Sequence, residues 1–122
     1  MPDSPFTAID HVQLAMPAGQ EETARIFFRD LLGMTEIPKP TELAKRGGCW
    51  FQSGAVQIHI GADKDFHPAT KAHPALRCHN YANLVARLRS SGVVVRDDFE
   101  IPGVTRAHIL DPWGNRIELI AE

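Results

Sequence analysis

One order of elements runs through the chain twice, and this repeat constrains the fold more than any other feature. Residues 9–16 (IDHVQLAM) alternate, with Val12, Leu14 and Met16 on one face and His11, Gln13 and Ala15 on the other, which predicts a half-buried strand. Pro17 ends it. Ala24, Phe27, Phe28, Leu31 and Leu32 then take the spacing of an amphipathic helix, opened by Glu21 and Glu22 and closed by Gly33. Residues 34–46, with Pro38 and Pro40, read as a short edge strand and a loop. GCWFQ and AVQIHIG read as two strands joined by a Ser53-Gly54 turn. The second half repeats the order. HPALRC (73–78) alternates, Asn80 is placed to cap a helix, and Tyr81, Leu84, Val85 and Leu88 share its buried face up to Gly92. VVVRDDF, Val104 to Leu110 and RIELI are strands, the last two joined by Asp111-Pro112-Trp113-Gly114, a type I turn sequence.

The expected organisation is therefore α+β: one domain over residues 1–122, built from two paired βαβββ modules (6–61 and 73–122) joined by a polar connector, 62–72. His11-x-x-Leu14 recurs as His73-x-x-Leu76, and Gln57-Ile58-His59-Ile60 recurs as Arg116-Ile117-Glu118-Leu119. Alternation places His11, His59, His73 and Glu118 on the face of each sheet that its helix does not cover. Bringing those two faces together would converge three imidazoles and a carboxylate, a donor set suited to one divalent Zn, Fe, Ni or Mn ion. Octahedral binding by four protein groups leaves positions for two neighbouring substrate oxygens. His67 and His79 have no counterpart in the repeat and read as surface residues.

Composition narrows the functional classes. Thirteen Lys and Arg against fifteen Asp and Glu leave a net charge of -2, which argues against nucleic acid or a membrane surface as partner. No apolar run approaches the length of a membrane span, and the first ten residues do not resemble a secretory leader. Cys49 and Cys78 form no disulfide framework and read as reduced core residues. The expectation is a cytoplasmic protein with a small-molecule substrate.

With IDHVQLA, FFRDLLGM, KAHPAL and LDPWGNRIEL in this order, the chain resembles the vicinal oxygen chelate superfamily, which includes glyoxalase I, extradiol dioxygenases, fosfomycin-resistance enzymes and bleomycin-binding proteins. The resemblance spans Ile9 to Ile120 and implies a metal-bearing cup made of paired modules. It implies His11, His73 and Glu118 as metal ligands, with His59 where many glyoxalase I enzymes carry a ligating Glu. It also places Arg106 and His108 inside the cup, with Trp50 on the other wall. Alternation adds Gln13, Gln57 and Arg77 as neighbours of the donors. Arg77 and Arg106 suggest an anionic substrate, the alternative being that they are solvated or paired with Asp97, Asp98 or Glu100; Glu118 is the remaining carboxylate, and His108 is a candidate general acid or base. The implied activity is a metal-dependent lyase or isomerase. A dioxygenase, an epoxide-opening resistance enzyme or a metal-free binding protein are the alternatives. A homodimer is also implied, in which His11 and His59 of one chain can meet His73 and Glu118 of another.

Overall fold

The computed structural model describes residues 4–122. Eight strands form two four-stranded sheets. The first module runs β1 (Val12–Pro17), α1 (Glu21–Ala24, continuing as a π-helical segment Arg25–Leu31), β2 (Thr35–Ile37), α2 (Thr41–Ala44), β3 (Cys49–Ser53) and β4 (Val56–Asp63). The second runs β5 (Ala75–Cys78), α3 (Tyr81–Ser90), β6 (Val95–Asp98), β7 (Arg106–Leu110) and β8 (Arg116–Ala121). The sheet orders are β1-β4-β3-β2 and β5-β8-β7-β6, each with one parallel pair created by the helical crossover and antiparallel neighbours elsewhere.

The register confirms the repeat at residue level. Gln13 faces His59 and Ala75 faces Glu118, so His11 and His73 each lie two residues ahead of the equivalent position. Trp50 faces His59 and His108 faces Glu118, an equivalence invisible in the sequence.

Several local expectations are corrected. The hairpin turn is Gly54-Ala55, because Ser53 still pairs with Val56. A short helix, α2, stands where a loop was expected. His73 and Pro74 precede β5 rather than opening it. Asn80 sits in the left-handed region (φ 54°), and its side chain makes no capping bond; Asn tolerates that conformation better than most residues. The first helix widens after Ala24: Leu32 N–H donates to Phe27 O, five residues back. The wider turn lets the consecutive residues Phe27 and Phe28 both turn inward, where they are almost fully buried.

A single apolar core takes in both modules. Leu14, Met16, Phe51, Ile58 and Ile60 of the first sheet join Ile109, Ile117 and Leu119 of the second, with Phe27, Phe28 and Leu88 from the helices. Since these side chains alternate with His59 and Glu118, the polar face of each sheet is the one turned away from the shared core.

Asn115 ties the halves together. Its Nδ2 donates to Ala15 O (2.8 Å) in β1 and to Asp111 Oδ2 (2.7 Å), and its Oδ1 accepts from Ala69 N (2.9 Å) in the connector. Asp111 Oδ1 accepts from the backbone N–H groups of Trp113 and Asn115, which shapes the expected turn. Two further links are Trp113 Nε1 to Gln20 Oε1 and Arg87 Nε to Leu31 O. Replacing Asn115, 1% exposed, orphans buried groups in three segments. Asn115→Ala is expected to cost about 2–4 kcal/mol of stability, read from urea unfolding.

Glu21 holds the start of α1 against β3, its carboxylate accepting the Gly48 N–H at 2.9 Å. That bond, opposed by partial burial, keeps the carboxyl below its usual 4.5. A depressed carboxyl stabilises the fold above its unfolded pKa, and the contribution disappears as pH falls through the folded value. The stability difference between wild type and Glu21→Gln is therefore expected to be constant above pH 4.5 and to shrink below it, measured by urea unfolding at each pH.

Candidate metal centre

On the polar face of the second sheet, Glu118 is buried on the central strand β8 and has a partner on each side. His73 Nε2 lies 3.1 Å from its Oε1, and Arg106 Nη1 donates to its Oε2 at 3.0 Å. Arg106 also reaches Asp98 (Nη2 to Oδ2, 2.9 Å), and the same oxygen accepts from His108 Nε2 at 2.9 Å. One donor atom each from His73, His108 and Glu118 lie within 4.8 Å of one another, so the three could hold a cation. That separation is close to the span of a first-row coordination sphere with bonds of about 2.0–2.2 Å.

The outer bonds of these donors suit a metal. His73 Nδ1 donates to Lys71 O at 2.7 Å, which directs the lone pair of a neutral ring to Nε2, towards Glu118. A lone pair facing a carboxylate oxygen at 3.1 Å needs a proton or a cation between them. His108 gives its Nε2–H to Asp98, and its Nδ1 is buried with no hydrogen-bond partner. Metal-binding imidazoles are commonly oriented in this way, with the second nitrogen bonded to a carbonyl or a carboxylate. Burial pushes the Glu118 carboxyl up, but the bonds from Arg106 and His73 outweigh it and leave the group below its ordinary value. Asp98 is also lowered, by the Glu100 N–H and by His108.

The first sheet carries a different arrangement. Trp50, His59 and His11 form a stack across β3, β4 and the residue ahead of β1, with centroids 4.0 Å apart at each step and planes 8° and 13° from parallel. His59 is 5% exposed and its Nε2 lies 3.1 Å from Gln57 Oε1. Burial, reinforced by the neighbouring His11, lowers its pKa and favours the neutral ring. His11 is more exposed and is bonded through Nδ1 to Asp10 at 2.9 Å.

The four donors inferred from the repeat are thus divided two and two: His11 stacked on His59, His73 bonded to Glu118. Within one chain, His11 and His73 line a groove of about 610 Å³ between the modules, but His11 and His59 do not join the His73–His108–Glu118 cluster. The shared core accounts for the separation, because it turns the two polar faces outward. Of the other expected lining residues, Trp50, Gln57, Arg106 and His108 touch one of the two groups, Gln13 lies across from His59, and Arg77 is exposed and outside the cluster. His67 and His79 are exposed. The sequence offered Asp98 only beside Asp97 and Glu100 as a possible partner of the two arginines, and the structure pairs it with Arg106. Its place depends on how far the 99–105 loop shifts β6 against β7, which no periodicity reveals.

Arg106 therefore bridges two carboxylates of the protein itself. Arg106→Met is expected to lower the urea midpoint of metal-free protein more than the exposed Arg77→Met does. Zn²⁺ should restore part of the loss by supplying another counter-charge to Glu118.

Residues 8–119 match the family model described as Glyoxalase/Bleomycin resistance protein/Dioxygenase superfamily, and the chain belongs to that superfamily. A glyoxalase family protein from Bacillus anthracis is 47% identical, with 98% of each chain covered and a TM-score of 0.94. Two more distant structures share the fold. A genomically encoded fosfomycin resistance protein from Listeria monocytogenes is 16% identical, over 96% of this chain and 94% of its own, with a TM-score of 0.74. A lactoylglutathione lyase from Agrobacterium tumefaciens is 19% identical, over 97% and 96%, with a TM-score of 0.70. The comparison with curated proteins finds no match.

Proposed function

We propose that the protein is a metal-dependent enzyme of the glyoxalase and dioxygenase type, acting as a lyase or isomerase on a small anionic substrate. The observation that carries this reading is the His73–Glu118 contact, made by two donors whose outer atoms are already tied to Lys71 O and Arg106. His73 and Glu118 would hold the metal, joined by His11 of a second copy, with His59 stacked behind that ring. A bound divalent ion supplies Lewis-acid polarisation of two neighbouring substrate oxygens. The protein groups do the rest. Arg106 orients Glu118. Asp98 fixes the His108 tautomer so that Nδ1, a buried lone pair, takes up or returns a proton of the substrate. The Trp50–His59–His11 stack forms a rigid flat wall.

The need for a second copy has two supports. The shared core separates the donors, and large apolar side chains stand exposed in the segment leading to His11 (Phe6, Ile9) and in the loop after β6 (Phe99, Ile101). No helix of the described residues is long and apolar enough to cross a membrane.

Untagged protein, stripped with EDTA and titrated with Zn²⁺, Ni²⁺, Mn²⁺ and Fe²⁺, is expected to bind one equivalent of at least one of them per chain. Glu118→Gln and His73→Ala should each weaken binding by about tenfold to a hundredfold or more, while His67→Ala and His79→Ala should not. Light scattering should show a dimer. Exchange of subunits between His11→Ala and Glu118→Gln dimers should restore tight binding at about one quarter of the sites, because each mixed dimer rebuilds one intact set. Absence of binding to every metal would instead favour a metal-free drug- or metabolite-binding protein.

A further inference from the structure

The polar face of the first sheet continues beyond the stacked rings into a second, smaller cavity of about 180 Å³. Gln13 and Gly61 lie on its sheet side with Trp50, and Lys39, Arg46 and Gly47 close it from the segment between β2 and β3. Four features make this cavity a built feature rather than a surface crease. Gly61 has no side chain, and the Gln13 amide nitrogen lies in the space that a Cβ there would fill, beside the cavity. Gly47 adopts a left-handed conformation (φ 76°), and its carbonyl accepts from Lys39 Nζ, which holds the lysine inward. Among the described residues, neither Lys39 nor Arg46 has a carboxylate within ion-pairing distance, whereas Arg25, Arg29 and Lys45 of the same module each have one. Glu21 lies against Gly47 at the edge of the cavity, but its Oε2 is taken up by the Gly48 N–H. Finally, Trp50 lines the cavity and stacks on His59, which places the cavity beside the ring stack.

We propose that this cavity is an oxyanion subsite: Lys39, Arg46 and the Gln13 amide receive a carboxylate or phosphoryl group whose carbon skeleton runs along the Trp50 indole. A guanidinium and an ammonium lining one cavity with a neutral amide donor match the oxygens of such a group, and an adjacent indole favours a flat apolar neighbour. Of the two cations that the sequence offered for this task, Arg106 is engaged with Glu118 and Asp98 and Arg77 is exposed outside the cluster, which leaves the opposite wall for the anion-binding role. The assignment of the anion to a substrate rests on the function proposed above; the binding itself does not, and it is tested without metal.

The test uses the full chain, stripped with EDTA and labelled at the tryptophan indoles, titrated with inorganic phosphate and with benzoate while the Nε1–H signals of Trp50 and Trp113 are followed. Trp50 is expected to shift saturably with at least one anion. Trp113, whose N–H is held by Gln20, should stay still. Tighter binding of benzoate would assign a carboxylate on a flat skeleton, and tighter binding of phosphate a phosphoryl group. Arg46→Met, at an exposed position, and Lys39→Met should each weaken binding about tenfold, the loss expected for one charge-assisted hydrogen bond. Arg46→Lys should recover part of it, and Arg77→Met should bind as wild type does. No saturable shift of Trp50 with either anion, or unchanged affinity in Arg46→Met, would overturn the subsite and leave the metal titration of the preceding section untouched.

Discussion

Two sheets share one apolar core, and the rest of the molecule follows from that arrangement. Each central strand presents isoleucine or leucine on either side of a functional residue, Ile58-His59-Ile60 in one sheet and Ile117-Glu118-Leu119 in the other. Burying the apolar members of both triplets in a common core forces the polar members outward. The helices and the Asn115 bonds to β1 and the connector hold the modules in that relation. A single chain thereby gains a core of adequate size at 122 residues, and at the same time divides its metal donors between two faces.

The two faces are chemically unlike despite their equivalent registers. The second is an electrostatic network in which one guanidinium satisfies Asp98 and Glu118, Asp98 fixes His108, and Glu118 meets His73. The first is a stack of three flat rings whose middle member is a buried, neutral-leaning imidazole. Trp50 and His108 occupy matching positions opposite His59 and Glu118. The difference at those positions gives one face a stack of rings and the other a charged network.

Much of the fold was legible because its signals are periodic. Alternation in β1, β4 and β8 depends only on neighbouring residues, and so does the apolar spacing along α3. The Asp111-Pro112-Trp113-Gly114 turn was readable for the same reason, its geometry being set by Asp111 accepting local N–H groups. Less local features were hidden. Widening of the first helix depends on the core accepting both Phe27 and Phe28. The Gly54-Ala55 turn is placed by the pairing of Ser53 with Val56. Asp98 enters the site through the offset of β6 against β7.

The sequence by itself determined the duplicated order of elements and the faces taken by His59 and Glu118, because side chains within a strand alternate whatever surrounds it; His11 and His73 stand just ahead of β1 and β5, where that rule does not reach. Only the tertiary structure decided which donors meet. Pairing register brought His108 and Arg106 to Glu118, and packing both modules on one core kept His11 and His59 away from it. Those outcomes depend on contacts between residues far apart in the chain, where the cost of closing the loop and the fit of the packed surfaces, rather than local periodicity, select the arrangement.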